Sequence, residues 1–227
     1  MTTRLLGTFR RPLWLLSLCL PALSLPALAS PVFINLTGTV VSTNFDPSDP
    51  FGGSIGFGTP IAITYVFDST TADSDPSGSS GSYQHTGAPY GLSINIGGFV
   101  FSTNDFLAVN VLNSAGLDQY GVLACSGGVG ACFSGDLTVS ILLQDNTGTA
   151  LGSDALPGTA PSLASFQSGT IAFNRNYFDD AGSFFQIQID GNVDSLAVVP
   201  EPSTTVGVLL GCALLAIARR RAKSTTE

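Results

Sequence analysis

Between Ser30 and Pro200 the side chains available for chemistry are fourteen aspartates, one histidine and one arginine, with no glutamate and no lysine. His85, in Ser82-Tyr-Gln-His-Thr-Gly87, is the only base that a Ser-His-Asp arrangement could use. One histidine among so many serines and aspartates carries little information, and a surface histidine in a loop or at a strand end is the simpler reading. Asp179 and Asp180 are adjacent, so on a strand they would face opposite ways and could not share a substrate. Calcium is a sharper possibility. Asp73-Ser-Asp-Pro-Ser-Gly78 puts oxygen ligands at positions 1, 3 and 5 of an EF-hand-like loop and glycine at 6, but Gln84 stands at position 12 and Pro76 at 4. Turn-forming residues give the same string in ordinary surface loops, so no metal ligand is assigned. Tyr83 and Tyr90 flank the glycine-rich stretch and could stack on a sugar, although tyrosines at strand ends more often cover a core edge.

These residues sit among short apolar or alternating runs broken by Gly, Pro, Asp, Asn and Ser, with no sustained helical period. Strands are expected at Val32–Ser42, Ile61–Phe67, Leu92–Ile96, Phe99–Thr103, Phe106–Leu112 and Tyr120–Cys125. Four more are expected at Leu137–Leu143, Thr170–Phe173, Phe184–Ile189 and Val193–Val199. Gly97-Gly98 between two such runs predicts a tight hairpin, because glycine takes positive φ freely at both central positions. The expectation is an all-β fold, a single antiparallel β-sandwich of jelly-roll type, since two packed sheets bury many one-sided strands. Residues 68–81 and 146–161 read as polar, turn-rich loops within one domain. Fourteen aspartates against one arginine give this region a formal charge of −13, which repels nucleic acid and excludes it as a partner.

The ends specify a route. Residues 1–29 have a basic start (Arg4, Arg10, Arg11), an apolar run from Leu13 to Leu20, and Ala27-Leu-Ala29, the small-residue pattern read by signal peptidase. Cleavage is placed after Ala29, leaving residues 30–199 as the exported domain. In the oxidising compartment this implies, Cys125 and Cys132, separated by Ser-Gly-Gly-Val-Gly-Ala, are expected to form a disulfide. A zinc half-site is the competing reading, but it lacks a second cysteine pair.

At the other end Pro200-Glu201-Pro202 precedes the apolar stretch Val206–Ala218 and the cluster Arg219-Arg220-Arg221. As a helix that stretch would measure about 20 Å, a marginal span, with the arginines as a cytoplasmic stop-transfer signal. Residues 200–227 resemble the PEP-CTERM sorting signal of Gram-negative bacteria. The resemblance implies that an exosortase, a membrane cysteine peptidase, reads the Pro-Glu-Pro motif and processes the tail after transient insertion in the inner membrane. The domain also resembles ectodomains joined to such tails, through Thr64-Tyr-Val-Phe-Asp68, Asp73-Ser-Asp-Pro76, Gly87-Ala-Pro-Tyr90 and Gly97-Gly98. The resemblance implies a route and an architecture rather than an activity; with no catalytic motif in the residues, no enzymatic activity and no cofactor are expected. The expected role is a noncatalytic surface or secreted protein, a component of an exopolysaccharide or biofilm matrix, with a carbohydrate-binding or calcium-dependent adhesive module as the alternative.

Overall fold

The computed structural model describes residues 31–46, 49–75, 77–128, 132, 137–178 and 182–199. The expected signal peptide (1–29), the sorting motif Pro200-Glu201-Pro202, the apolar tail, Arg219–Arg221 and the Asp179-Asp180 pair lie outside these residues. Among the described residues no helix is long and apolar enough to cross a membrane.

Alternation of apolar and polar residues generates the strands. In β2 (Pro60–Asp68) Ile61, Ile63, Tyr65 and Phe67 are buried while Pro60, Ala62 and Thr64 are exposed, the period-2 pattern of a strand with one wet face. The others are β1 (Pro31–Asp46), β3 (Ser80–His85), β4 (Gly91–Ile96), β5 (Phe99–Thr103), β6 (Phe106–Ser114), β7 (Leu117–Cys125), β8 (Leu137–Asp145), β9 (Ser168–Phe178) and β10 (Phe184–Val199). All pairings are antiparallel, in the order β3-β6-β7-β8-β9-β10-β1-β2-β4-β5. The all-β antiparallel class is as expected. The two-sheet sandwich is not what these ladders show: they run unbroken through one ten-stranded sheet, curled into a half-barrel.

The curl lets one face supply both walls of the core. Tyr65 on β2 and Tyr120 on β7 stand five places apart in the sheet, yet their hydroxyls meet at 3.1 Å. Phe101 of β5 packs on Phe173 of β9 with ring centroids 4.8 Å apart, and Thr103 Oγ1 donates to the Cys125 carbonyl at 2.9 Å. The long central pair carries bulges of the kind that bend a sheet, the β1–β10 register shifting between Thr37 and Gly38 and again between Val40 and Ser42. There Gly38 faces the Asn192 carbonyl and Ile171 so closely that a Cβ would collide with both. Gly38→Ala is therefore expected to cost about 1–3 kcal/mol, read as a lower thermal midpoint, because a strand carbonyl cannot step aside. An unchanged midpoint would show that the bulge relaxes freely.

Two loops close the concave side. Residues 49–59 insert Phe51 and Ile55 into the core, and residues 146–167 lay Leu151, Leu156, Leu163 and Phe166 against it. A separate small cluster of Phe106, Ala108 and Cys125 forms on the convex side, with Leu123 and Cys132 packed against it.

Candidate functional site

His85 is not the surface residue the sequence suggests. Ser80–His85 is a strand, and its alternation turns Gly81, Tyr83 and His85 inward, leaving His85 only 5% exposed. Its ring lies 5.2 Å from Tyr90 and 6.3 Å from Phe67. Nδ1 is 3.3 Å from Thr71 Oγ1, and Nε2 has no hydrogen-bond partner among the described residues. Burial lowers its pKa below the ordinary 6.5, against the opposing charge of Asp68. That aspartate bonds elsewhere: Oδ1 accepts from Thr70 N at 2.8 Å and Thr70 Oγ1 at 2.7 Å, and Oδ2 accepts from Tyr90 Oη at 3.5 Å. An acid, a histidine and a hydroxyl are thus neighbours without the acid orienting the imidazole, which a triad requires.

One further serine, Ser54, lies in a nucleophile spacing. Gly52-Gly53-Ser54-Ile55-Gly56 reads Gly-x-Ser-x-Gly, but the motif needs a strand-to-helix elbow. Here it forms a turn between β1 and β2, with Ser54 N donating to Phe51 O at 3.1 Å.

In the Asp73–Gly78 loop the carboxylates are engaged by their own chain. Asp73 Oδ1 accepts from Asp75 N and Ser82 N, each at 2.8 Å. Asp75 accepts from Ser77 N at 2.9 Å and from Ser80 Oγ at 2.6 Å. With Ser74 N bonded to Ser82 O at 2.9 Å, the segment covers the outer edge of β3, an arrangement that protects an edge strand. Pro76 lies outside the described residues.

Asp118 and Asp145 are missed by sequence reading. They face one another in the β7–β8 register and are almost fully buried. Asp145 accepts from the backbone N–H groups of Thr147, Thr149 and Ala150 at 3.0, 2.9 and 3.1 Å. Asp118 Oδ2 accepts from Leu151 N at 2.8 Å. Asn113, its amide oriented to satisfy both neighbours, donates to Asp118 Oδ1 at 3.2 Å and accepts from Ser153 N at 2.8 Å. Tyr83 Oη donates to the Asp154 carbonyl at 3.0 Å, so this tyrosine belongs to the interior and to the same loop attachment. Asp145 is held down to about 2 by the Thr149 N–H and the Thr147 hydroxyl. Asp75 is lowered by Ser80 Oγ and Ser77 N. Burial works to raise Asp68, but the Thr70 bonds, His85 and Tyr90 outweigh it and hold it down.

Two pH windows follow. Depressed carboxylates contribute stability that is present above their unfolded value, near 3.8, and that is lost as pH falls toward 2. The lowered histidine acts earlier: below 6.5 the unfolded chain takes up a proton that folded His85 resists, so stability declines from there downward. Thermal midpoints measured from pH 8 to 2 are expected to fall in both windows. His85→Phe should abolish the first slope and keep the second; an unchanged first slope would sink its assignment to His85.

Among the described residues the convex face carries an open groove of about 500 Å³ over Thr37, Thr39, Ala62 and Asn95, and two others. One, of about 420 Å³, runs along Thr64, Pro89, Tyr90, Ser93 and Ser102. The other, of about 470 Å³, crosses β3, β6, β7 and β8 over Gly121, with Ser82 and Asn110 on one side and Leu123, Ser140 and Leu142 on the other. Ser82, Asn110, Gly121 and Leu142 are successive cross-strand partners. Around them the outward positions are filled by hydroxyls and amides such as Thr39, Thr64, Asn95, Thr170 and Asn192. Cross-strand bonds organise this surface: Thr39 Oγ1 to Asp194 at 2.6 Å, Ser42 Oγ to Asp190 at 2.8 Å and Thr64 Oγ1 to Asn35 at 2.8 Å.

Fold and surface define a curled, all-antiparallel β-domain with a filled concave side and a hydroxyl- and amide-rich convex one. Compared with family models, curated proteins and solved structures, the chain matches none of them.

Proposed function

We propose that the chain is an exported, noncatalytic matrix protein whose convex face meets extracellular polysaccharide. In this reading signal peptidase removes residues 1–29, and the tail holds the domain transiently in the inner membrane. An exosortase-type peptidase acting at Pro200-Glu201-Pro202 then passes it to the cell surface or medium. The order of motif, short apolar stretch and arginines supports the route, and the polar convex face supports the role. Uncharged hydroxyl and amide groups suit sugar hydroxyls, while the −13 charge of residues 30–200 disfavours anionic polymers.

The route is tested in a Gram-negative host with an exosortase-type peptidase. The wild-type chain is expected in the medium or at the surface, starting at Ser30 and lacking Arg219–Arg221. The variant Pro200→Ala/Glu201→Ala/Pro202→Ala should keep its tail and remain in the membrane fraction. Equal processing of both, or equal processing without the peptidase, overturns the sorting assignment.

A further inference from the structure

We infer that the groove over Gly121 is a subsite for a neutral polysaccharide strand, an assignment that rests on the matrix reading above. Glycine in the middle of a strand weakens it and calls for a reason. Crowding supplies the reason elsewhere in this sheet. A Cβ on Gly81 would come within 2.6 Å of the Asp154 carbonyl oxygen, one on Gly169 within 2.8 Å of Val193, and one on Gly191 within 2.5 Å of Ile61. Gly121 differs. Its φ is not in the left-handed region, and the nearest atom to a Cβ would be the Asn110 carbonyl oxygen at 3.8 Å, an ordinary contact. The fold therefore tolerates a side chain there, and the effect of omitting one is to open the floor of the groove.

The walls have the chemistry of a sugar site. Asn110 is exposed, and neither its amide nor the Ser82 and Ser140 hydroxyls hydrogen-bond to another described side chain, so all three are free to donate and accept. Their neighbours are fixed: Ser80 Oγ is bonded to Asp75, and Gln119 Nε2 donates to Gln144 Oε1 at 3.2 Å. Leu112, Leu123 and Leu142 add aliphatic surface for the C–H faces of a ring, and Leu142 is 37% exposed. A groove that crosses four strands extends for roughly 15 Å at the usual interstrand spacing, enough for several linked rings. Among the described residues that line the groove Asp75 is the only charged one, so a polymer bearing carboxylates finds no counter-charge there.

The test is affinity electrophoresis of the purified chain through native gels containing dextran, hydroxyethyl cellulose, galactomannan or alginate, with polymer-free gels as reference. At least one neutral polymer is expected to retard the wild type, and alginate is not. Gly121→Val should weaken that retardation tenfold or more while melting at or above the wild-type midpoint, since valine suits a strand better than glycine. Asn110→Ala, an exposed change that leaves the floor open, should give an intermediate loss and serves as the second variant if Gly121→Val fails to fold. Undiminished retardation of both variants overturns the Gly121 subsite and leaves the matrix reading standing. Retardation by no neutral polymer overturns that reading itself, and retardation by alginate alone overturns the neutral class.

Discussion

Tyr120→Ala is expected to lower the thermal midpoint by roughly 10–15 °C, from a loss of about 3–5 kcal/mol in a domain of this size. Tyr120 is 1% exposed and Tyr65 is fully buried, and their hydroxyl pair joins β7 to β2 across the core. Burial also raises the pKa of both phenols well above the ordinary value of 10, which favours the neutral pair. Removing one hydroxyl separates packing from hydrogen bonding. Tyr120→Phe keeps the ring but strands Tyr65 Oη in an apolar interior, at a cost of about 1–3 kcal/mol. Tyr65→Phe/Tyr120→Phe removes both partners and should recover most of that loss. A double-mutant cycle on thermal midpoints measures the difference; additive losses would mean that the hydroxyls do not depend on one another.

The second large effect is expected at the disulfide. Cys125 and Cys132 are bonded, with Cα atoms 5.2 Å apart. Closing a loop of eight residues contributes about 2.5 kcal/mol on chain entropy alone. Cys125→Ala/Cys132→Ala should therefore melt roughly 5–10 °C below the wild type. Part of the effect passes through packing, because Cys125 is fully buried with Phe106 and Ala108, and Cys132 lies over them. Reductant should bring the wild type to the midpoint of the double variant and leave that variant unchanged. A wild type indifferent to reductant would show that the bridge closes a loop already ordered in the unfolded chain.

Legibility followed the strength of the local pattern. Gly97-Gly98 predicts a hairpin because both positions need positive φ, and they adopt it at 58° and 99° between β4 and β5. The runs Ile61–Phe67 and Leu137–Leu143 are strands whose alternate positions Ile61, Ile63, Tyr65, Phe67 and Leu137, Val139, Ile141, Leu143 are buried, and each appears within two residues of its predicted ends. β3 was not visible. Ser-Gly-Ser-Tyr-Gln-His has two large inward side chains, and what makes it a strand is pairing with β6, a long-range fact that no local window carries. The same omission misplaces His85. Gly191-Asn192 reads as a break between two strands, whereas β10 runs through it from Phe184 to Val199, since the bulged pairing with β1 needs a residue without a Cβ at that point. The roles of Asp118 and Asp145 were illegible for a related reason. An aspartate before Asn-Thr-Gly looks like turn chemistry, and only the β7–β8 register brings the second carboxylate beneath the same loop. The expected sandwich rested on strand count, which does not distinguish two stacked sheets from one sheet that bends far enough to face itself.

Phe33 on β1 pairs with Val199 on β10, so the chain enters and leaves the sheet on neighbouring strands, about 5 Å apart. A domain with its two ends side by side behaves like a loop closed at the neck. It can complete its fold while held at both ends, because neither segment has to thread past the sheet or travel to its far side. Constraining either end changes nothing in the path of the other. Pulled by both ends at once, the β1–β10 ladder would open from that corner one rung at a time, so the sheet resists such tension with single hydrogen bonds rather than with the whole ladder together.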